Sequence, residues 1–118
     1  MARHPAVPTG VGPDELRRAN LRTILQTVHT RGPTTRAVLT QQLGLNRSTI
    51  GGLTSELATL GLVSEEAAAL AGRSGRPSHL VVPRVDNVVV AVDVGVDRIA
   101  AAVVGLGGQV LELSLIHI

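Results

Sequence analysis

The sequence contains no cysteine, no phenylalanine, tyrosine or tryptophan, and no lysine. Without cysteine, disulfide scaffolds, zinc–thiolate sites and cysteine nucleophiles are excluded. Without aromatic rings, the stacking platforms that bind single-stranded nucleic acid are excluded, and the core must be aliphatic. Hydrophobic residues make up 44% of the 118 residues, which is typical of a folded chain. This length accommodates one ordinary domain, or a small domain and part of another.

Charge is distributed unevenly along the chain. Residues 1–84 contain ten arginines and five acidic residues, whereas residues 85–118 contain one arginine and four acidic residues. This asymmetry predicts two units, the first with a polyanion as its candidate partner. No uncharged stretch approaches the ~20 residues that cross a bilayer, and the N-terminal segment has prolines where a secretory signal has an apolar core. We therefore expect a cytoplasmic protein with no membrane partner.

Apolar periodicity predicts three helices after a flexible arm at residues 1–13. They span about 14–30, 36–43 and 47–60. Thr35 and Asn46 are suitable N-caps for the second and third helices, and Gly44 suits the left-handed turn between them. The third helix is expected to bury one face, formed by Ile50, Leu53, Leu57 and Leu60.

The second and third predicted helices have the spacing of a helix-turn-helix, in which the second helix of the pair enters the major groove of DNA. Polar side chains at its start can contact bases or phosphates, and the free N–H groups of its first turn favour anions. The candidate DNA-binding residues here are Thr35, Arg36, Asn46, Arg47, Ser48, Thr49 and Thr54. The alternative is a solvated polar face on a small helical bundle.

A glycine-rich loop at residues 72–77 lies between two predicted short strands, 62–64 and 79–82. Its arginines, Arg73 and Arg76, suit a DNA-binding wing that follows phosphates or enters a narrow minor groove. The alternative is a linker in which the arginines maintain solubility. The loop is not a nucleotide-binding P-loop, because no Gly-Lys-Ser/Thr follows it.

Three aliphatic strands are predicted at 88–94, 99–104 and 109–113. The first ends in Asp93-Val94-Gly95, a pattern that can place a carboxylate near a metal-bound phosphate or can simply form a hairpin turn. The four histidines are scattered along the sequence, so we predict no metal site and no cofactor.

Taken in order, these segments resemble the ROK family (repressors, open reading frames and kinases), and specifically its transcriptional repressors. The resemblance covers about residues 16–113. It is carried by LRRANL (16–21), RGPTTRA (31–37), GLNRSTI (44–50), GLV (61–63), GRSGRP (72–77) and VDVG (92–95).

The resemblance implies an α+β architecture. Residues 14–84 would form a winged helix-turn-helix DNA-binding domain similar to that of the MarR-type regulators. Residues 85–118 would form the first β-hairpin or meander of an actin-like (ribonuclease H-like) sugar-kinase domain, truncated after its third strand. Residues 113–118 do not continue the family pattern.

The function implied is that of a non-enzymatic, sequence-specific repressor of carbohydrate metabolism that binds double-stranded DNA. Its sugar inducer would bind only through the part of the family's chain that is missing here. The full-length protein is expected to be a homo-oligomer and this chain mostly a monomer.

Five residues at three sites depart from the family pattern. Val38 stands where helix 2 usually has the Glu of a capping box, and Gly51-Gly52 replaces larger polar residues in helix 3. Val96-Asp97 replaces the Gly-Thr of the kinase phosphate loop, so Asp93 and Gly95 are expected to be its vestige. Two alternatives remain: part of a ROK-type sugar kinase with an added N-terminal domain, or a small helical interaction module.

Overall fold

The computed structural model describes residues 12–67 and 79–118, and within them the chain forms three helices and two three-stranded antiparallel sheets. Residues 1–11 of the predicted arm (1–13) and the loop carrying Arg73 and Arg76 lie outside these described residues, while Pro13, which was predicted to be in the arm, is in the first helix. The elements, in chain order, are α1 (Pro13–Arg31), β1 (Thr34–Thr35), α2 (Arg36–Leu43), α3 (Arg47–Thr59), β2 (Val63–Ala67), β3 (His79–Pro83), β4 (Val88–Val94), β5 (Arg98–Gly105) and β6 (Val110–His117). No helix of the described part is long and apolar enough to span a membrane.

The three helices lie where the sequence predicted them, with ends that differ by one residue at most. Pro13 occupies the first turn of α1, where its missing N–H costs nothing, and Asp14 and Glu15 complement the positive end of the helix. Gly44 ends α2 with a φ of 68°, a left-handed conformation that favours glycine. The turn between α2 and α3 is therefore as sharp as expected.

The first sheet has the strand order β1-β3-β2. β2 and β3 pair antiparallel over five residues, from Val63 opposite Pro83 to Ala67 opposite His79. Both strands were predicted, but β2 extends three residues past the predicted end at position 64. The two-residue strand β1 was not predicted, because two threonines are too short for a periodic signal. It pairs with Leu80 and Val81 on the free edge of β3.

One aliphatic core joins the three helices to the first sheet. Its fully buried members are Ile24, Val28, Leu39, Ile50, Leu53, Leu57, Val63 and Val81. Leu45 packs against this cluster from the α2–α3 turn. Leu60, which the sequence placed on the same face, is instead 62% exposed, because it lies at the C-cap, where the chain leaves the helix.

The second sheet is the meander β4-β5-β6. β4 and β5 have the predicted extents within a residue, whereas β6 continues past the predicted end at Leu113 to His117 and pairs with β5 down to Arg98. Apolar side chains on both faces of this sheet remain exposed, including Val90 and Val92 on one face and Val89 and Leu113 on the other. None of the buried core residues comes from β4, β5 or β6.

Asn87 and His29 join the second sheet to the helical part. The Asn87 side-chain amide donates to the Gly61 carbonyl at 2.9 Å, and the backbone carbonyl of Asn87 accepts from Leu106 N at 2.8 Å. His29 Nδ1, at the end of α1, accepts from Gly107 N at 2.9 Å. The β5–β6 turn is thus anchored directly to α1 and, through Asn87, to Gly61, two residues after α3 ends.

Candidate nucleic-acid interface

The first turn of α3 presents polar groups to solvent. The Asn46 side chain caps the helix, because its Oδ1 accepts from Thr49 N at 2.8 Å and from the Ser48 hydroxyl at 3.0 Å. Asn46, Arg47, Ser48 and Thr49 are all exposed. Arg47 has no ion-pair partner among residues 12–67 and 79–118, so its charge faces solvent uncompensated.

The opposite face of α3 is buried, as its apolar spacing predicted. Ile50, Leu53 and Leu57 enter the core, whereas Gly52 and Ser55 are on the outside of the helix. A Cβ added at Gly52 would meet no atom within 4 Å. Beyond the first turn, the fully exposed residues of α3 have small side chains, and the partly exposed Glu56 is paired with Arg17 at 3.0 Å.

Thr54 is the one predicted contact residue of α3 that the structure contradicts. Its side chain is 0% exposed, and its hydroxyl donates to the Gly51 carbonyl at 3.3 Å. Position 54 lies one helical turn after Ile50, so a residue that looks polar in the sequence falls on the core side. A buried threonine cannot contact a nucleic acid, and this assignment was wrong.

Thr35 and Arg36, at the start of α2, are both engaged within the protein. The Thr35 hydroxyl accepts from Val38 N at 3.2 Å, which is the predicted N-cap. Arg36 forms two hydrogen bonds to the Glu65 carboxylate on β2, one of them 3.0 Å long from Nε to Oε1. The charge of Arg36 is therefore compensated inside the fold rather than presented to a partner.

The pKa of Glu65 is lowered below its ordinary value of 4.5. Burial alone raises it, but hydrogen bonds from Arg36 and Thr54 and the positive charge of Arg36 outweigh that effect. His79, whose Nδ1 lies 4.0 Å from Glu65 Oε2, lowers it further when protonated. Glu65 is thus ionised and central to the polar contacts among α2, α3 and the first sheet, a role that no sequence pattern indicated.

The loop that carries Arg73 and Arg76 connects β2 to β3. Because Ala67 pairs with His79, the two ends from which the loop leaves are adjacent. The sequence prediction of two short strands flanking this loop is therefore confirmed, while the positions of its arginines stay a prediction.

Asp93 and Gly95 lie at the β4–β5 hairpin. Asp93 is exposed on β4, 4.0 Å from the Arg98 guanidinium, and Gly95 N donates to the Arg98 carbonyl at 2.8 Å to close the turn. Within the described residues, no three histidine, aspartate or glutamate side chains are grouped so that they could hold a metal ion.

A cleft of about 830 Å³ lies between α1 and the second sheet. Its lining is mainly aliphatic and includes Leu25 and Val89, with Arg22 and His29 contributed by α1. None of the predicted site residues within 12–67 and 79–118 lines this cleft, so the polar end of α3 and the cleft are separate features.

Comparison with known proteins relates this arrangement to ROK-family transcriptional regulators. No protein-family model matches the chain. A crystal structure of a ROK family transcriptional regulator, described as a homolog of the E. coli MLC protein, matches with a TM-score of 0.60 and 25% sequence identity over 87% of this chain and 26% of that one.

The particular relative found by sequence is the xylose repressor of Bacillus spizizenii (strain ATCC 23059 / NRRL B-14472 / W23). It is 28% identical over 96 residues, which cover 81% of this chain and 25% of the repressor. The chain thus spans about a quarter of the length of either relative. Sequence and fold together confirm the predicted similarity to ROK-family repressors.

Proposed function

We propose that residues 14–84 form a winged helix-turn-helix domain that binds duplex DNA in a sequence-specific manner. The observation that carries this proposal is the exposed, polar first turn of α3, which follows α2 through the sharp turn at Gly44. The first turn of α3 presents to the same solvent region the charge of Arg47, which is unpaired within the described residues, and the hydroxyls of Ser48 and Thr49. The free backbone N–H groups of the helix N-terminus add a partial positive charge there. Such a surface is suited to phosphates and to base edges in a major groove.

In this proposal Arg47 binds a guanine edge or a phosphate, and Ser48 and Thr49 contact bases or backbone. Thr35 and Asn46 act through their caps, which fix the first turns of α2 and α3. Arg73 and Arg76 follow the phosphates as a wing. The small side chains of Gly52 and Ser55 allow the α3 backbone to approach the groove closely.

We further propose that the chain acts in the cytoplasm as part of a repressor of carbohydrate metabolism. Residues 85–118 would begin its sugar-kinase-like domain, and a sugar would act as inducer through the remainder of that domain in a homo-oligomer. Support comes from the two relatives, which are named as a xylose repressor and a ROK family transcriptional regulator.

The Arg47→Ala variant tests this function. We expect a loss of about 1–3 kcal/mol in affinity for a duplex selected from a randomised pool by binding to the wild-type chain, if Arg47 binds a base. Titrations of that duplex and of a random-sequence duplex, at several salt concentrations, measure specificity and charge contacts separately.

Arg98→Ala is the matched control, because it removes the same charge from an exposed residue of the second sheet. It should leave the selectivity between the two duplexes unchanged. Equal, unaltered affinities of Arg47→Ala for both duplexes would contradict the proposal. An absence of salt-dependent binding by the wild-type chain would favour a helical interaction module.

The alternative function, part of a sugar kinase, depends on Asp93 and Gly95. Phosphoryl transfer requires cradled phosphates, a positioned metal and a base for the attacking hydroxyl. Here Asp93 faces Arg98, and Asp97 adds a second negative charge within the same hairpin. We expect no phosphorylation in a coupled assay with ATP, magnesium and a panel of hexoses, and turnover above background would support the kinase.

A further inference from the structure

Glu65 joins three structural elements through one carboxylate. Both of its oxygens accept hydrogen bonds from the Arg36 guanidinium, which belongs to the first residue of α2. The two side chains are only 26% and 16% exposed, so solvent screens the pair weakly. Thr54, buried on α3, lies close enough to the same carboxylate to lower its pKa.

The Arg36 guanidinium lies against the backbone of α3 at Gly51. A Cβ added at Gly51 would be 3.2 Å from Arg36 Nη1 and 3.8 Å from its Cζ. Any larger side chain would press on a guanidinium that Glu65 already holds by two hydrogen bonds. A Cβ added at the next glycine, Gly52, would have no atom within 4 Å. Gly52 therefore lies in the same helix but does not contact the guanidinium.

The same carboxylate reaches the strands that flank residues 68–78. Glu65 is in β2, and its Oε2 lies 4.0 Å from Nδ1 of His79, the first residue of β3. The contacts of Glu65 therefore link the start of α2, the middle of α3 and both strands from which the predicted wing departs.

We propose that Arg36 and Glu65 are positioning residues, which fix the orientation of α3 against α2 and the β2–β3 hairpin and thereby set the geometry of DNA binding. A bidentate guanidinium–carboxylate pair defines both distance and angle, which a single charge contact does not. A side chain at position 51 would push the guanidinium away by a few tenths of an ångström, against the two hydrogen bonds that hold it to Glu65. This inference rests on the proposed function and assigns Arg36 no contact with DNA.

The sign of the charge effect separates positioning from simple electrostatics. Glu65→Gln removes a negative charge, which by electrostatics alone favours binding to a polyanion. Positioning predicts the opposite, because the neutral amide cannot accept both hydrogen bonds from Arg36 at full strength. The matched control is Glu66→Gln, which removes the same charge from the exposed neighbouring residue of the same strand.

The experiment compares Glu65→Gln, Glu66→Gln and Arg36→Lys with the wild-type chain, using the selected duplex and the random-sequence duplex. We expect Glu65→Gln and Arg36→Lys to bind the selected duplex about tenfold more weakly or worse, with a reduced preference over random sequence. Glu66→Gln should bind at least as tightly as wild type. The salt slope of Arg36→Lys should be unchanged, because no phosphate contact is lost.

Equal affinities of Glu65→Gln and Glu66→Gln would overturn the inference while leaving DNA binding intact. A fall in salt slope of ~0.9 for an Arg36→Gln variant would also overturn it, since that is the signature of a direct phosphate contact. If the wild-type chain binds neither duplex, the proposed function fails, and the positioning role fails with it.

Melting temperatures test the contact with Gly51 without DNA. Gly52→Ala should raise the melting temperature by about 4–8 °C in any background, because alanine favours helix and meets no neighbour. Gly51→Ala should give that gain only in an Arg36→Ala/Glu65→Gln background, where no guanidinium remains and no charge is left unpaired. An equal gain from Gly51→Ala in the wild-type chain would contradict the contact.

Discussion

At the scale of single residues, burial decides which polar side chains are available to a partner. Thr54 and Thr49 are both threonines of α3, yet one is fully buried beside Glu65 and the other exposed beside the N-cap. Arg36 and Arg47 differ in the same way, because one is paired with Glu65 and the other faces solvent. Residue type alone therefore could not separate structural from interfacial positions.

The lowered pKa of Glu65 predicts a specific loss of stability in acid. The folded pKa is below 4.5, so the ionised carboxylate stabilises the native state above that pH. As pH falls below about 4.5, the unfolded chain binds the proton first, and the contribution is lost as pH passes through the folded pKa. Urea unfolding of wild type between neutral pH and pH 3 should show this loss of stability.

At neutral pH the Glu65→Gln variant should have a lower free energy of unfolding than wild type. Between neutral pH and pH 3 that free energy should fall less than in wild type, since no carboxylate remains to titrate at position 65. Glu66→Gln should follow the wild-type profile. Asp86 also has a lowered pKa, chiefly through its hydrogen bond from Arg84. Because Asp86 is exposed and is unchanged in all these variants, it does not account for a difference between their pH profiles. Parallel pH profiles for wild type and Glu65→Gln would show that the pair adds nothing to stability.

At the scale of elements, the second sheet depends on a close approach between β5 and the segment that precedes β4. A Cβ added at Gly105 would lie 2.5 Å from the Val85 carbonyl oxygen and 3.2 Å from its Cα. Such a contact with backbone cannot be relieved by rotating a side chain. The glycine is therefore required by packing, since its neighbours leave no room for a methyl group.

We expect Gly105→Ala to destabilise the attachment of the second sheet by about 1–3 kcal/mol, because the backbone must move. The core of the helical part contains no residue from β4–β6, so the helical circular dichroism signal should persist. Hydrogen exchange of the amides of Leu106 and Gly107 would report the change, since they donate to Asn87 and His29. Unaltered exchange and unaltered stability would contradict the steric argument.

At the scale of the whole molecule, the two units differ in how completely they bury their apolar side chains. The helical part and the first sheet share a closed aliphatic core, whereas β4–β6 expose valines and leucines on both faces. Exposed apolar sheet faces and open strand edges favour association between chains. The charged, polar surface of α3 lies on the unit that is already well packed.

We expect the chain to be mostly monomeric at micromolar concentration and to associate weakly as concentration rises. Val92→Lys places a charge on an exposed face of β4 and should suppress this association, while the helical core stays intact. Sedimentation velocity over a concentration series measures both effects. A tight dimer at micromolar concentration, or association unaffected by Val92→Lys, would contradict this expectation.

The sequence by itself determined the local structure of this protein. Thr35, Gly44 and Asn46 specify caps and turns through contacts within three or four residues, so α2, the turn and α3 were predicted almost to the residue. The ordered motifs also indicated the similarity to ROK-family repressors that the sequence relative and the structural match support. These features could be predicted because their causes lie within short stretches of chain.

Only the tertiary structure decided the long-range partners. Glu65 meets Arg36 across 29 positions of sequence, Gly107 meets His29 across 78, and β1 exists only because β3 lies beside it. Burial of Thr54 and exposure of Leu60 likewise depend on what packs against α3 and where it ends. Apolar periodicity predicts which face of a helix or strand is buried, but not which residues pack against that face. Those residues are determined by the packing of the whole chain.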